Sequence, residues 1–137
     1  MKSEKFEVKS IEDLKKIIDC IKNSGKNIII LSGTLGSGKT TLVKEFVKSL
    51  GIKQDATSPT FAIQNIYDNK VFHYDLYNKG ISEFLALGLL EEFEKEGYHF
   101  IEWGEDLIPV LENYGFDYLI IKIKIDGNKR FYECQNL

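Results

Sequence analysis

One α/β domain, a mixed sheet with a parallel core flanked by helices and extended by β-hairpins, is what three features of this 137-residue sequence predict. The first is an apolar run, Ile28-Ile29-Ile30-Leu31, with the length and β-branched content of a strand buried on both faces. The second is the stretch Gly33-Thr34-Leu35-Gly36-Ser37-Gly38-Lys39-Thr40, which opens onto a segment of helical periodicity. The third is a pair of later apolar runs, residues 71–74 and 98–101, each ending in a carboxylate, Asp75 and Glu102.

Strand, glycine loop and helix in that order form the context of a phosphate-binding P-loop. Glycines let the backbone turn tightly and approach a phosphate with no Cβ in the way. The loop N–H groups then converge on phosphate oxygens, helped by the positive end of the helix that starts there. Lys39 would reach the β- and γ-phosphates as a point charge, and Thr40 Oγ1 would ligate Mg²⁺, a hard cation that prefers oxygen. Downstream, Leu42, Val43, Phe46, Val47 and Leu50 share one helical face, and Gly51 suits the C′ position.

From the start of the chain, Phe6 and Val8 alternate with charged neighbours, as in a short edge strand. Ser10 fits a helix N-cap with Glu12 and Asp13 in the first turn, and Ile11, Leu14, Ile17, Ile18 and Ile21 make an apolar stripe ending near Gly25. Residues 52–60 are polar, contain Pro59 and are too irregular for an element. They lie where several P-loop proteins carry a loop that senses the γ-phosphate. Residues 61–67 read as a strand, Asp68-Asn69 as a turn and residues 71–74 as its antiparallel partner.

That second strand delivers Asp75 at its C-terminal end, where ligands bind in open α/β sheets. An acid there can hold Mg²⁺ or orient water, or simply cap a turn. His73, in mid-strand, reads as packing. A helix follows over residues 83–96 with Ser82 as cap, broken at Gly88 and ended by Gly97. Residues 98–101 then run into Glu102, the loosest form of a Walker B arrangement and the leading second metal contact. Trp103 beside it serves either packing or the site. Residues 107–111 read as helical despite Pro109. The alternating strand 118–125 turns through Asp126-Gly127-Asn128 into Arg130-Phe131-Tyr132, a hairpin that widens the sheet.

Composition narrows the function. Hydrophobic residues at 43% and charged ones at 28% describe a globular protein, and no apolar run is long enough to span a membrane. The first residues lack the apolar core of a signal peptide, so a cytoplasmic protein is expected. Cys20 and Cys134, far apart and without CxxC spacing, read as free thiols of a reducing compartment, with no zinc site. A formal net charge of −3 argues against a DNA- or RNA-binding surface of the chain's own. Arg130 is the single arginine, too few for the cationic lid that nucleotide kinases use.

Four ordered blocks carry a resemblance to a known family: residues 33–41, then Ser58-Pro59-Thr60-Phe61, then His73-Tyr74-Asp75-Leu76-Tyr77, then Ile101-Glu102-Trp103. Together they resemble the TsaE (YjeE) family of small bacterial ATPases, which serve the making of threonylcarbamoyladenosine in tRNA. The resemblance covers nearly the whole chain, a single P-loop ATPase domain over residues 1–137. It implies slow Mg²⁺-dependent ATP hydrolysis and work with TsaB and TsaD, which transfer the threonylcarbamoyl group to adenosine 37, so that tRNA is met through the complex. It implies nucleotide contacts from Gly33, Gly36, Ser37, Gly38, Lys39, Thr40 and Thr41, and Mg²⁺ ligation by Thr40 and Glu102. Lys39 and Asp75 would serve catalysis, and Thr57, Ser58 and Thr60 would form a switch loop; apart from the resemblance, Trp103 beside Glu102 and Arg130 near the terminus are further candidates for nucleotide contact. Two positions depart from the family's pattern. Thr34 replaces an acidic residue, and Asn78 replaces an arginine whose bidentate fork Lys79 cannot reproduce.

Two other classes use the same motif. A small-molecule or nucleoside kinase would need an acceptor pocket and an arginine-bearing lid. A non-hydrolytic adaptor would organise partners through ATP binding alone. A GTPase is disfavoured, because Asn69-Lys70, Asn78-Lys79 and Asn128-Lys129 all lack the aspartate of a guanine motif.

Overall fold

The computed structural model describes residues 2–34, 38–53, 63–77 and 80–137. Its elements in chain order are β1 (Ser3–Val8), α1 (Leu14–Ser24), β2 (Ile28–Ser32), α2 (Lys39–Ser49), β3 (Gln64–Tyr67), β4 (Val71–Asp75), α3 (Gly80–Ala86), β5 (Tyr98–Glu102), α4 (Ile108–Asn113), β6 (Leu119–Asp126) and β7 (Lys129–Gln135). The strands form one sheet in the order β1-β7-β6-β2-β5-β4-β3. Its centre, β6-β2-β5-β4, is parallel, and β3 on one side and β7 and then β1 on the other extend it through antiparallel pairings. This is the mixed α/β architecture that the sequence predicts.

The central strand β2 is apolar throughout because both of its faces are covered. Ile29 and Leu31, with Phe100 of β5 and Ile121 of β6, pack under α1 and α2. Ile28 and Ile30 turn the other way, with Ile101, Tyr74, Phe84, Phe93, Leu107 and Leu111. The stripe Leu14, Ile17, Ile18 and Ile21 seals α1 onto the first of these faces, and Gly25 ends the helix at φ 70°. The predicted hairpins also form. Asp68 and Asn69, both at φ 51°, make the turn between β3 and β4 with the positive dihedrals that a tight hairpin needs.

Two sequence expectations are corrected. Ile11 is 58% exposed and does not extend the α1 stripe. It lies in a 3-10 turn, Ile11–Asp13, whose three residues per turn rotate it out of the 3.6-residue register. The helix expected over 83–96 does break at Gly88, but it starts earlier than expected and its second piece is 3-10 rather than α. α3 begins at Gly80, before Ser82, and Gly88 at φ 71° separates it from a 3-10 segment, Leu89–Glu94. That reversal brings Phe84 and Phe93 onto the same ring of Tyr74, with centroids 5.8 and 5.4 Å away, while Leu85 and Leu87 stay exposed.

Pro109 occupies the first turn of α4, where its missing N–H costs nothing. Cys20 and Cys134 are free thiols, as the sequence predicts, with burial pushing both above the ordinary thiol range. Among the described residues, no helix is long and apolar enough to cross a membrane.

Candidate nucleotide site

Parallel strand ends and a helix start converge at one edge of the sheet. β4 and β5 pair in parallel with Asp75 opposite Glu102, and Glu102 is also level with Leu31 of β2. Because strand side chains alternate, Asp75 and Glu102 share the face on which α2 packs. α2 begins just past the glycine loop, so its first residues Lys39, Thr40 and Thr41 arrive beside those carboxylates. Thr40 Oγ1 donates to Glu102 Oε2 at 3.4 Å, across 62 residues of sequence. The two metal ligands implied by the resemblance are therefore neighbours. Both are oxygen donors, and Mg²⁺ is commonly held by one or two carboxylates with substrate phosphates rather than by an all-protein cage. The donor set fits that cation.

Lys39, an ionisable side chain, is only 4% exposed. Its ammonium donates to the Gly33 carbonyl at 2.8 Å and lies 3.7 Å from the centroid of the Trp103 ring. Burial lowers its pKa from the ordinary lysine value, while Glu102, Glu105 and Asp75 pull it back up. Trp103 itself takes the left-handed conformation at φ 60°, a strain of about 1–3 kcal/mol for a non-glycine residue. Gly104 follows it because a Cβ there would lie 2.5 Å from Ile101 Cγ2. The Tyr77 ring, 4.9 Å from Trp103, flanks the same spot. Asp75 Oδ1 accepts the Tyr77 N–H at 3.0 Å, so this aspartate also caps a turn.

The opposite wall comes from β7. Gly38 has φ 113°, and a Cβ placed on it would meet Tyr132 Oη at 2.5 Å and Arg130 Nη1 at 3.3 Å. Only glycine fits there. The Tyr132 hydroxyl donates to the Gly38 carbonyl at 3.2 Å, which ties the loop's exit to the terminal hairpin. Burial raises the Tyr132 pKa, and Arg130 opposes that rise. A cavity of about 310 Å³ opens beside this wall, lined by Ser10, Thr41, Asn128, Arg130 and Tyr132 among others.

Gly33, Gly38, Lys39, Thr40, Thr41, Asp75, Glu102, Trp103 and Arg130 thus gather around the start of α2. Gly36 and Ser37 of the loop, Thr57, Ser58 and Thr60 of the expected switch segment, and Asn78 with Lys79 lie outside the described residues. The reading of His73 as packing holds for its burial and is incomplete. Its ring is fully buried, but Nε2 is 2.5 Å from Glu102 Oε2. Tyr132, which the sequence reading places only in the terminal hairpin, is a second addition to the site. In both cases a period of two is the available signal, since His73 precedes Asp75 by two residues and Tyr132 follows Arg130 by two.

A family model described as "Threonylcarbamoyl adenosine biosynthesis protein TsaE" matches residues 8–132. The chain belongs to the TsaE family. Among curated members, a tRNA threonylcarbamoyladenosine biosynthesis protein TsaE from Aquifex aeolicus is 34% identical over 136 residues, covering 95% of this chain and 89% of that one. The Bacillus subtilis TsaE is 34% identical over 123 residues, 81% of this chain and 77% of its own. The crystal structure of YdiB from B. subtilis superposes with a TM-score of 0.68 at 28% identity, covering 97% of this chain and 84% of that one. The TsaE match spans the loop, both strand-end carboxylates and Arg130.

Proposed function

We propose that this protein is a Mg²⁺-dependent ATPase that supports threonylcarbamoyl modification of adenosine 37 in tRNA, working with TsaB- and TsaD-type partners. One observation carries the reading: Thr40 and Glu102, 62 residues apart, meet at the start of α2 beside the buried ammonium of Lys39. The names of the relatives supply the pathway.

In this reading the loop N–H groups and the N-terminus of α2 hold the phosphates, and Lys39 shifts its charge from the Gly33 carbonyl to the β- and γ-oxygens. Thr40 Oγ1 and Glu102 would hold Mg²⁺, which supplies charge neutralisation on the phosphate oxygens. Asp75 orients a water for in-line attack on the γ-phosphorus. A bond forms from the water oxygen to phosphorus, the bond from phosphorus to the β–γ bridging oxygen breaks, and the water proton leaves to Asp75 or solvent. ADP and inorganic phosphate are the products. The cavity beside Arg130 and Tyr132 has room for the base and ribose, with Ser10 and Thr41 at its edge.

Arg130 is the chain's single arginine and stands on the β7 wall beside Gly38, so the chain has no further arginine to offer the γ-phosphate, which favours slow turnover in isolation. An arginine supplied in trans is worth about 10³–10⁵ in rate where such a group is used. The partners would supply such a group or order the segment around Thr57, Ser58 and Thr60. Phosphate release measured with and without the partners tests this, and equal rates would refute partner dependence. Deleting the gene should remove the tRNA nucleoside, wild type should restore it, and the Lys39→Ala variant should not.

A further inference from the structure

We propose that His73 is a positioning residue for the metal-binding carboxylate, its Nε2–H donating to Glu102 Oε2 so that the carboxylate is held in one rotation for the cation. The proposal rests on the reading of Glu102 as a Mg²⁺ ligand.

His73 lies in mid-β4 with no exposure, and only one of its ring nitrogens has a partner. Nε2 is 2.5 Å from Glu102 Oε2, whereas Nδ1 is buried without a hydrogen bond. A carboxylate accepts, so the ring must donate through Nε2, and the neutral tautomer then leaves Nδ1 as a bare acceptor. A ring kept only for packing would be better served by phenylalanine, since it would bury no orphaned nitrogen. The one bond that His73 makes falls on the carboxylate beside Thr40. Thr40 Oγ1 donates to the same Oε2 at 3.4 Å. Two donors on Oε2, from β4 and from α2, fix the plane of the carboxylate and leave Oε1 as the oxygen that neither of them engages.

Groups that orient metal ligands typically matter by about 10–100-fold in metal affinity. Glutamine and asparagine separate the hydrogen bond from the volume. The amide nitrogen of glutamine is as many bonds from Cβ as histidine Nε2, and that of asparagine is one bond short. Calorimetric titration of Mg²⁺ into ADP-saturated protein should show His73→Asn weakened by about 10–100-fold, with His73→Gln restored close to wild type. ADP affinity in EDTA should be unchanged in both. Wild-type Mg²⁺ affinity in the asparagine variant, equal weakening in both variants, or a parallel fall in EDTA would overturn the proposal. Glu102→Gln is the reference: if it leaves Mg²⁺ affinity unchanged, the metal assignment itself is lost. The wild-type protein gives an independent readout by ¹⁵N NMR of the imidazole, where a protonated Nε2 is expected and a bare Nε2 would sink the idea.

Discussion

His73 and His99 lie on neighbouring strands, both fully buried, one on the α2 face of the sheet and the other on the face packed by α3 and α4. His99 is satisfied at both nitrogens. Nε2 donates to the Lys95 carbonyl at 2.9 Å and Nδ1 accepts from the Tyr74 hydroxyl at 2.9 Å, with the ring stacked on Phe72 at 4.4 Å. His73 spends its single contact on Glu102 and leaves Nδ1 orphaned. One face is completed within the fold. The other holds a buried lysine, two strand-end carboxylates and a half-satisfied ring, an arrangement that costs stability within the fold.

If that division is right, substitutions on the α2 face change chemistry and those on the far face change stability. The largest effect is expected from Lys39→Ala, which should lower phosphate release by about 10²–10³-fold while the circular dichroism spectrum stays native. Retained hydrolysis would break the comparison at its centre. Glu102→Ala should raise the Mg²⁺ needed for half-maximal turnover by at least about tenfold. An unchanged titration would remove Glu102 from the cation's ligands.

On the far face, His99→Leu removes the acceptor of the Tyr74 hydroxyl and the donor to the Lys95 carbonyl and should cost about 1–3 kcal/mol in urea denaturation, with the rate per folded molecule preserved. Burial holds the pKa of His99 below the ordinary value of about 6.5. The unfolded chain therefore takes up a proton first as pH falls. The stability from a neutral His99 is complete above about pH 6.5 and is lost on acidification toward its lowered folded value. Urea midpoints between pH 7 and 5 should fall in wild type and fall less in His99→Leu. The smallest effect belongs to Tyr132→Phe, which removes the hydrogen bond to the Gly38 carbonyl at a cost of about 0.5–1.5 kcal/mol. Because that bond anchors the loop's exit, weaker ATP binding should accompany the small stability loss, and an ATP titration would detect it.

The amino-acid sequence by itself determined the architecture and half of the site. Ile28 to Leu31 has the length and β-branched content of a doubly covered strand, Gly33 to Thr40 has the glycine spacing of a phosphate loop, and Asp75 and Glu102 each close an apolar run. These features are local: each follows from hydrophobic period or from what a backbone dihedral permits. The tertiary structure decided the rest. Whether a buried imidazole such as His73 or His99 serves a carboxylate or the core depends on which face its strand turns inward and on what the neighbouring strand presents there. Likewise Tyr132 reaches Gly38 only because β7 folds back beside β6, 94 residues along the chain from the loop it holds. The 3-10 turns at Ile11–Asp13 and Leu89–Glu94 escaped the periodic reading because the apolar pattern runs on through both, while the backbone rotation changes. Spacing along a chain records which residues can share a face, and packing alone records which faces meet.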